Sequence, residues 1–153
     1  MKNKYIWLGI ILLIILAALF AWPKFTNPYR EKIKKWNDLG IECLISGHQN
    51  ISLHIHPKLT IVVDGAKQTI PSEIGIVRDC MAEIHTHDAS GTIHIESVSE
   101  GRKFKLNDFF AVWGESMDKL GYKLEITVDG APSSLLGELI MTDKQQITLK
   151  YSK

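Results

Sequence analysis

Cys80-Met81-Ala82-Glu83-Ile84-His85-Thr86-His87-Asp88-Ala89-Ser90-Gly91-Thr92-Ile93-His94-Ile95-Glu96 is the stretch from which the fold is read. Polar and apolar residues alternate from Met81 to His87 and again from Thr92 to Ser97. A period of two marks strands with one face buried. The link Asp88-Ala89-Ser90-Gly91 has the composition of a turn, so the two runs read as a hairpin. Closing that hairpin sets His87 opposite Thr92, His85 opposite His94 and Glu83 opposite Glu96. One sheet face then carries His85, His87, His94, Glu83 and Glu96.

The same alternation extends upstream. Ile51, Leu53, Ile55, Leu59, Ile61 and Val63 share one parity, with Ser52, His54, His56, Lys58 and Thr60 on the other. Asp64-Gly65 follows as a hairpin-type turn, with Lys67 to Ile70 returning. Downstream the period changes. Phe109, Phe110, Trp113, Met117 and Leu120 fall at helical spacing, with Asn107 or Asp108 placed to start a helix and Gly121 to end it. Tyr122 to Val128 and Gln145 to Tyr151 supply the last strands. The tetrapeptide Val-Asp-Gly-Ala recurs at 63–66 and 128–131, as a short repeat or as two similar hairpins. The fold class expected is α+β: a small, mostly antiparallel sheet domain over residues 41–153 with one amphipathic helix.

All six histidines lie between positions 48 and 94. On a strand, residues two apart project from the same face about 7 Å apart. His54/His56 and His85/His87 therefore each present two imidazoles in one direction. Without a ligand this face is costly, because opposed carboxylates repel and neighbouring imidazoles resist joint protonation. A transition-metal cation removes both penalties. The competing reading is a solvated polar face whose histidines are incidental; five histidines with strand parity favour the metal. The expected ligands are His85, His87 and His94, then His54 and His56. Glu83 or Glu96 would complete the sphere or orient an imidazole, and His48 is peripheral.

Cys43 and Cys80 each precede a histidine by five residues. In an exported domain a Cys43–Cys80 disulfide is the leading reading, and thiolate ligation of a soft metal is its rival. Cys80-Met81 lacks the downstream spacing of a blue-copper loop. No phosphate-cradling glycine loop, dinucleotide fingerprint or His-Glu-x-x-His is present.

The formal charge of +1 over 153 residues hides a division. Residues 1–35 sum to +6 and residues 36–153 to −5. An acidic main domain argues against a nucleic-acid partner. After Lys2 and Lys4, Tyr5 to Trp22 are 18 uncharged positions, or roughly 27 Å of helix, close to the thickness of a bilayer core. Residues 1–22 are thus expected to be a transmembrane signal-anchor, with a cleaved signal peptide as the alternative. Residues 23–40 follow as a basic juxtamembrane stalk. Counting basic residues alone would keep the main domain cytoplasmic. A short basic N-terminus before a first apolar segment is instead the usual arrangement for export, which is the orientation expected here.

The segment 80–96 resembles a signature found in small exported or membrane-anchored prokaryotic proteins, mostly uncharacterised. They combine a His-x-His-x-x-Leu strand with a His-Thr-His-Asp-x-Ser-Gly-x-Ile-His-Ile-Glu hairpin. A Phe-x-Leu-x-Asp-Phe-Phe-x-x-Trp-Gly segment follows, matched here by Phe104, Leu106, Asp108, Phe109, Phe110, Trp113 and Gly114. The resemblance spans about residues 41–130 and implies that histidines and aromatic helix belong to one module. It brings no assigned reaction.

The expectation is a membrane-anchored extracytoplasmic domain that binds copper or zinc for capture, sensing or delivery, with an envelope metal-handling partner. The alternatives are a metal-dependent envelope hydrolase or oxidase, with Glu83 or Glu96 as base, and a metal-free protein-interaction module.

Overall fold

The computed structural model describes residues 28–44, 48–78 and 80–153, together with positions 4, 7 and 10–13, which are helical. Most of the expected anchor, residues 5–22, lies outside the described residues. Among those described, no helix is long and apolar enough to cross a membrane. The chain divides into two units, Met1–Glu31 and Lys32–Lys153, and the second carries the fold.

The β-structure is α+β in class and mostly antiparallel, but it forms three sheets rather than one. The largest has five strands in the order β3-β2-β10-β8-β9. These are β2 (Lys58–Val63), β3 (Ala66–Gln68), β8 (Lys123–Val128), β9 (Ala131–Ser133) and β10 (Gln146–Ser152). β10 is central and runs parallel to β2 and antiparallel to β8. Alternation works as expected here. Ile147, Leu149 and Tyr151 of β10 and Leu59 and Ile61 of β2 are all buried.

Two hairpins flank β10, and both turn through Asp-Gly. Asp64 and Gly65 have φ of 47° and 83°, and Asp129 and Gly130 have 50° and 83°. Positive φ at both central residues is the type I′ geometry that matches strand twist. Each aspartate also ties its turn to β10. Asp64 Oδ1 accepts from the Lys153 amide at 3.2 Å, and Asp129 Oδ1 accepts from the Gln146 amide at 2.9 Å. The recurring tetrapeptide is therefore two equivalent turns clipped to the two ends of one strand.

The histidine-bearing sheet is three-stranded, in the order β1-β7-β6, with β1 (Leu53–Ile55), β6 (Ile84–His85) and β7 (His94–Ser97). The continuous strand expected over 51–63 is broken at His56-Pro57. Proline has no N–H for a ladder, and the His56 amide is drawn away to Asp143 Oδ1 at 2.9 Å. β1 and β2 consequently belong to different sheets. The run expected from Met81 to His87 is divided too. β5 (Cys80–Met81) pairs with β4 (Ile76–Val77), leaving only Ile84 and His85 on β7.

Two α-helices and a short 3-10 helix, Leu136–Glu138, complete the described domain. α1 (Pro28–Asp38) ends the basic segment expected to be a stalk. Its Trp36 is 2% exposed and, with Ile41, belongs to the core. α2 (Leu106–Trp113) starts from Lys105, whose amide donates to Asp108 Oδ2 at 2.7 Å. It stops at Gly114, well short of Gly121. Gly114 adopts φ 87°, and the amides of Gly114 and Glu115 both donate to the Phe110 carbonyl, a left-handed helix end. Of the residues expected to continue the helical stripe, Met117 is buried beside β10 and accepts from Tyr151 Oη, whereas Leu120 is fully exposed.

The hairpin loop lies directly on β2. The Leu59 amide donates to the Gly91 carbonyl at 2.8 Å, and the Ile93 amide donates to the Pro57 carbonyl at 2.9 Å. Gly91 has φ +84°, and a Cβ there would stand 2.3 Å from the Leu59 carbonyl oxygen. Gly91→Ala combines left-handed backbone strain with a backbone clash and should cost about 2–4 kcal/mol. Urea denaturation checks this; a midpoint equal to wild type would contradict the account.

Candidate metal centre

The site is built on the ladder between β6 and β7. Its register pairs His85 with His94 and Ile84 with Ile95, as the closed hairpin requires. Buried Ile84, Ile93 and Ile95 hold the opposite parity in the core. β1 adds His54 on the far side of β7, paired with Glu96. His56 follows at the end of β1.

Five rings form a continuous cluster. His54 and His56 have centroids 4.6 Å apart, His56 and His94 4.7 Å, His94 and His87 4.6 Å, and His87 and His85 4.7 Å. Two groups of three converge: His85, His87 and His94, and His54, His56 and His94. Within each group, one ligand nitrogen per residue lies within 4.8 Å of the others. Metal–nitrogen bonds of about 2.0–2.1 Å require ligand nitrogens roughly 4 Å apart or less, so small ring movements would suffice.

His85 is fully buried, and its Nδ1 lies 2.9 Å from the Ala82 carbonyl. A carbonyl only accepts, so Nδ1 carries the proton and Nε2 keeps its lone pair toward the cluster. Nε2 stands 3.2 Å from His87 Nε2. Burial is the main force lowering the His85 pKa, to about 4, with His87 and His94 adding to it. Burial also lowers that of His94, followed by the nearby His87 and His56. Both shifts favour the neutral ring, the form that binds a metal.

The two glutamates of the hairpin are both buried but do different things. Glu96 lies among the histidines. Its Oε2 is 2.7 Å from His48 Nδ1, and its Oε1 is 3.1 Å from His54 Nε2. The second contact is close enough for an ion pair but not aligned as a hydrogen bond, so Oε1 has no hydrogen-bond partner. Glu83 is directed elsewhere. Its Oε2 accepts from the Glu42 amide at 2.9 Å and pairs with Arg102 at 3.1 Å. Glu83 belongs to neither converging group, and Arg102 supplies its counter-charge where a metal was expected to.

His48, peripheral by sequence, is an exposed partner of Glu96. Cys43 and Cys80 are joined as a disulfide, so their sulfurs are not thiolate ligands. The bridge sits beside the Cys43–Ala82 backbone pair and steadies the segment whose Ala82 carbonyl orients His85. Two contributors had no signal in the sequence pattern. Asp143, which holds the His56 amide, is 87 positions away, and Arg102 lies in a stretch without periodicity.

The chain matches no family model, no curated protein and no solved structure.

The depressed His85 pKa links metal-free stability to pH. Above about 6.5 both folded and unfolded chains carry a neutral ring, and the full stability is present. As pH falls from 6.5 toward 4, the unfolded chain takes up a proton that the folded one refuses. Stability should drop by up to roughly 3 kcal/mol across that window, with His94 acting in the same direction. Urea midpoints of chelator-treated protein measure the effect. A flat profile across the window would rule out a buried neutral His85.

Proposed function

We propose that this chain is a membrane-anchored, extracytoplasmic protein that binds copper or zinc through histidines on a sheet face, for capture, sensing or delivery. One observation carries the reading: two groups of three imidazoles whose ligand nitrogens each fall within 4.8 Å. The orientation of His85 supports it, because its Nε2 lone pair is available and its other nitrogen is fixed by a carbonyl, the usual support of a metal-bound imidazole. Imidazole suits either metal. The disulfide supports an oxidising compartment. The apolar run 5–22 after Lys2 and Lys4 supports an anchor in the bilayer, with the main domain outside.

Three imidazoles leave a coordination position open, which is the arrangement of catalytic zinc sites. That favours a metal-dependent hydrolase or oxidase as the second reading. Against it, Glu83 is paired with Arg102, and Glu96 is fully buried against His48 and His54. Binding without turnover fits this engagement better.

The test is metal content of purified, dialysed protein after exposure to Cu or Zn. Wild type should retain metal, and the double variant His85→Ala/His87→Ala should retain clearly less. Equal binding would overturn the reading and leave a metal-free interaction surface. Turnover of ester, phosphate or phenol substrates by the loaded protein would establish the enzyme reading instead. A tag placed after Lys153 should be reached by protease added to intact cells; a protected tag would overturn export.

A further inference from the structure

The two histidine groups share a member. His94 belongs to both, so the cluster is a run of five rings with His94 at its middle. His56 and His87 meet His94 from two neighbouring positions, with ring planes inclined by 88° and 72°. An imidazole carries nitrogens on two edges and can serve a different cation with each. His94 Nδ1 is buried and has no hydrogen-bond partner. An orphaned buried nitrogen is costly, and a ligand would remove that cost. Carboxylates lie beside two of the rings, and a third follows His87 in the sequence. Glu96 faces His54, Asp143 Oδ1 lies 3.8 Å from His56 Nδ1, and Asp88 follows His87 directly.

We propose that the cluster holds two transition-metal ions joined by the imidazolate of His94, with His54 and His56 completing one position and His85 and His87 the other. This rests on the metal-binding reading above and adds a stoichiometry and a bridge to it. Bridging forms one metal–nitrogen bond at each edge of His94 and breaks its remaining N–H bond, the proton passing to solvent. The imidazolate charge, with Glu96, offsets part of the charge of a second dication. One ligand sets the positions apart: the His54 and His56 side chains are 48% and 39% exposed and His87 is exposed as well, whereas His85 is completely buried.

The experiment is titration of chelator-stripped, detergent-solubilised full-length protein with Cu(II). Bound copper is counted after removal of excess, and the electron paramagnetic resonance signal is recorded. Two equivalents are expected, with the isolated Cu(II) signal lost through coupling across the bridge. His56→Ala and His87→Ala should each keep one equivalent with an ordinary uncoupled signal. His94→Gln should abolish coupling. Saturation of wild type at one equivalent overturns the two-ion proposal and leaves the metal-binding reading standing. Two uncoupled ions overturn the bridge. No bound copper overturns the proposal, and if zinc also fails to bind, the underlying reading falls with it. Should His94→Gln fail to fold, His56→Ala alone decides: the second equivalent and the coupling must disappear together, and either one persisting overturns the proposal.

Discussion

The pairing of His85 with His94 sets the position of every other group in the cluster. A strand has a side-chain period of two, so a slip of one residue would turn Ile84 and Ile95 outward and bury the opposite set. Three buried isoleucines, at 84, 93 and 95, make that slip expensive. The β6–β7 ladder is nevertheless only two residue pairs long and would not hold by itself. It is held from outside, by the loop hydrogen bonds to Pro57 and Leu59, by the disulfide beside Ala82 and by α2 packed against β6. The position of the histidine sheet is thus set by the contacts around it.

Those contacts maintain an arrangement that works against folding. An imidazole kept neutral by burial, a carboxylate oxygen without a hydrogen bond and an orphaned ring nitrogen all lie in one small region. Each is a local cost that the surrounding core must carry. The other buried carboxylate of the hairpin incurs no such cost, since Glu83 has both an amide donor and Arg102. The two hairpin glutamates therefore differ: Glu83 has its partners within the fold, whereas one oxygen of Glu96 has no hydrogen-bond partner among the described residues.

Much of this was legible in the sequence, for reasons that can be located. Strand parity and the composition of the 88–91 link were sufficient to pair His85 with His94. The Asp-Gly turns announced both hairpins because few other residues tolerate two successive positive φ values. What escaped reading depended on distant partners. Alternation continues in phase across Pro57, so the pattern conceals that β1 and β2 enter different sheets. Helical spacing likewise continues past Gly114, and only the left-handed glycine ends the helix. Opposed carboxylates implied a shared cation, but Arg102 could be paired with Glu83 only in three dimensions. The parallel match of β10 with β2 brings together segments more than 80 positions apart, and no local pattern encodes that.

β10 lies C-terminal to both strands it joins, yet it forms the middle of the five-stranded sheet. Until residues 146–152 have left the ribosome, β2 and β8 have no common partner, and the Asp64 and Asp129 turns have nothing to clip. The large sheet therefore closes only after its last strand is synthesised, through contacts of high sequence separation that form slowly.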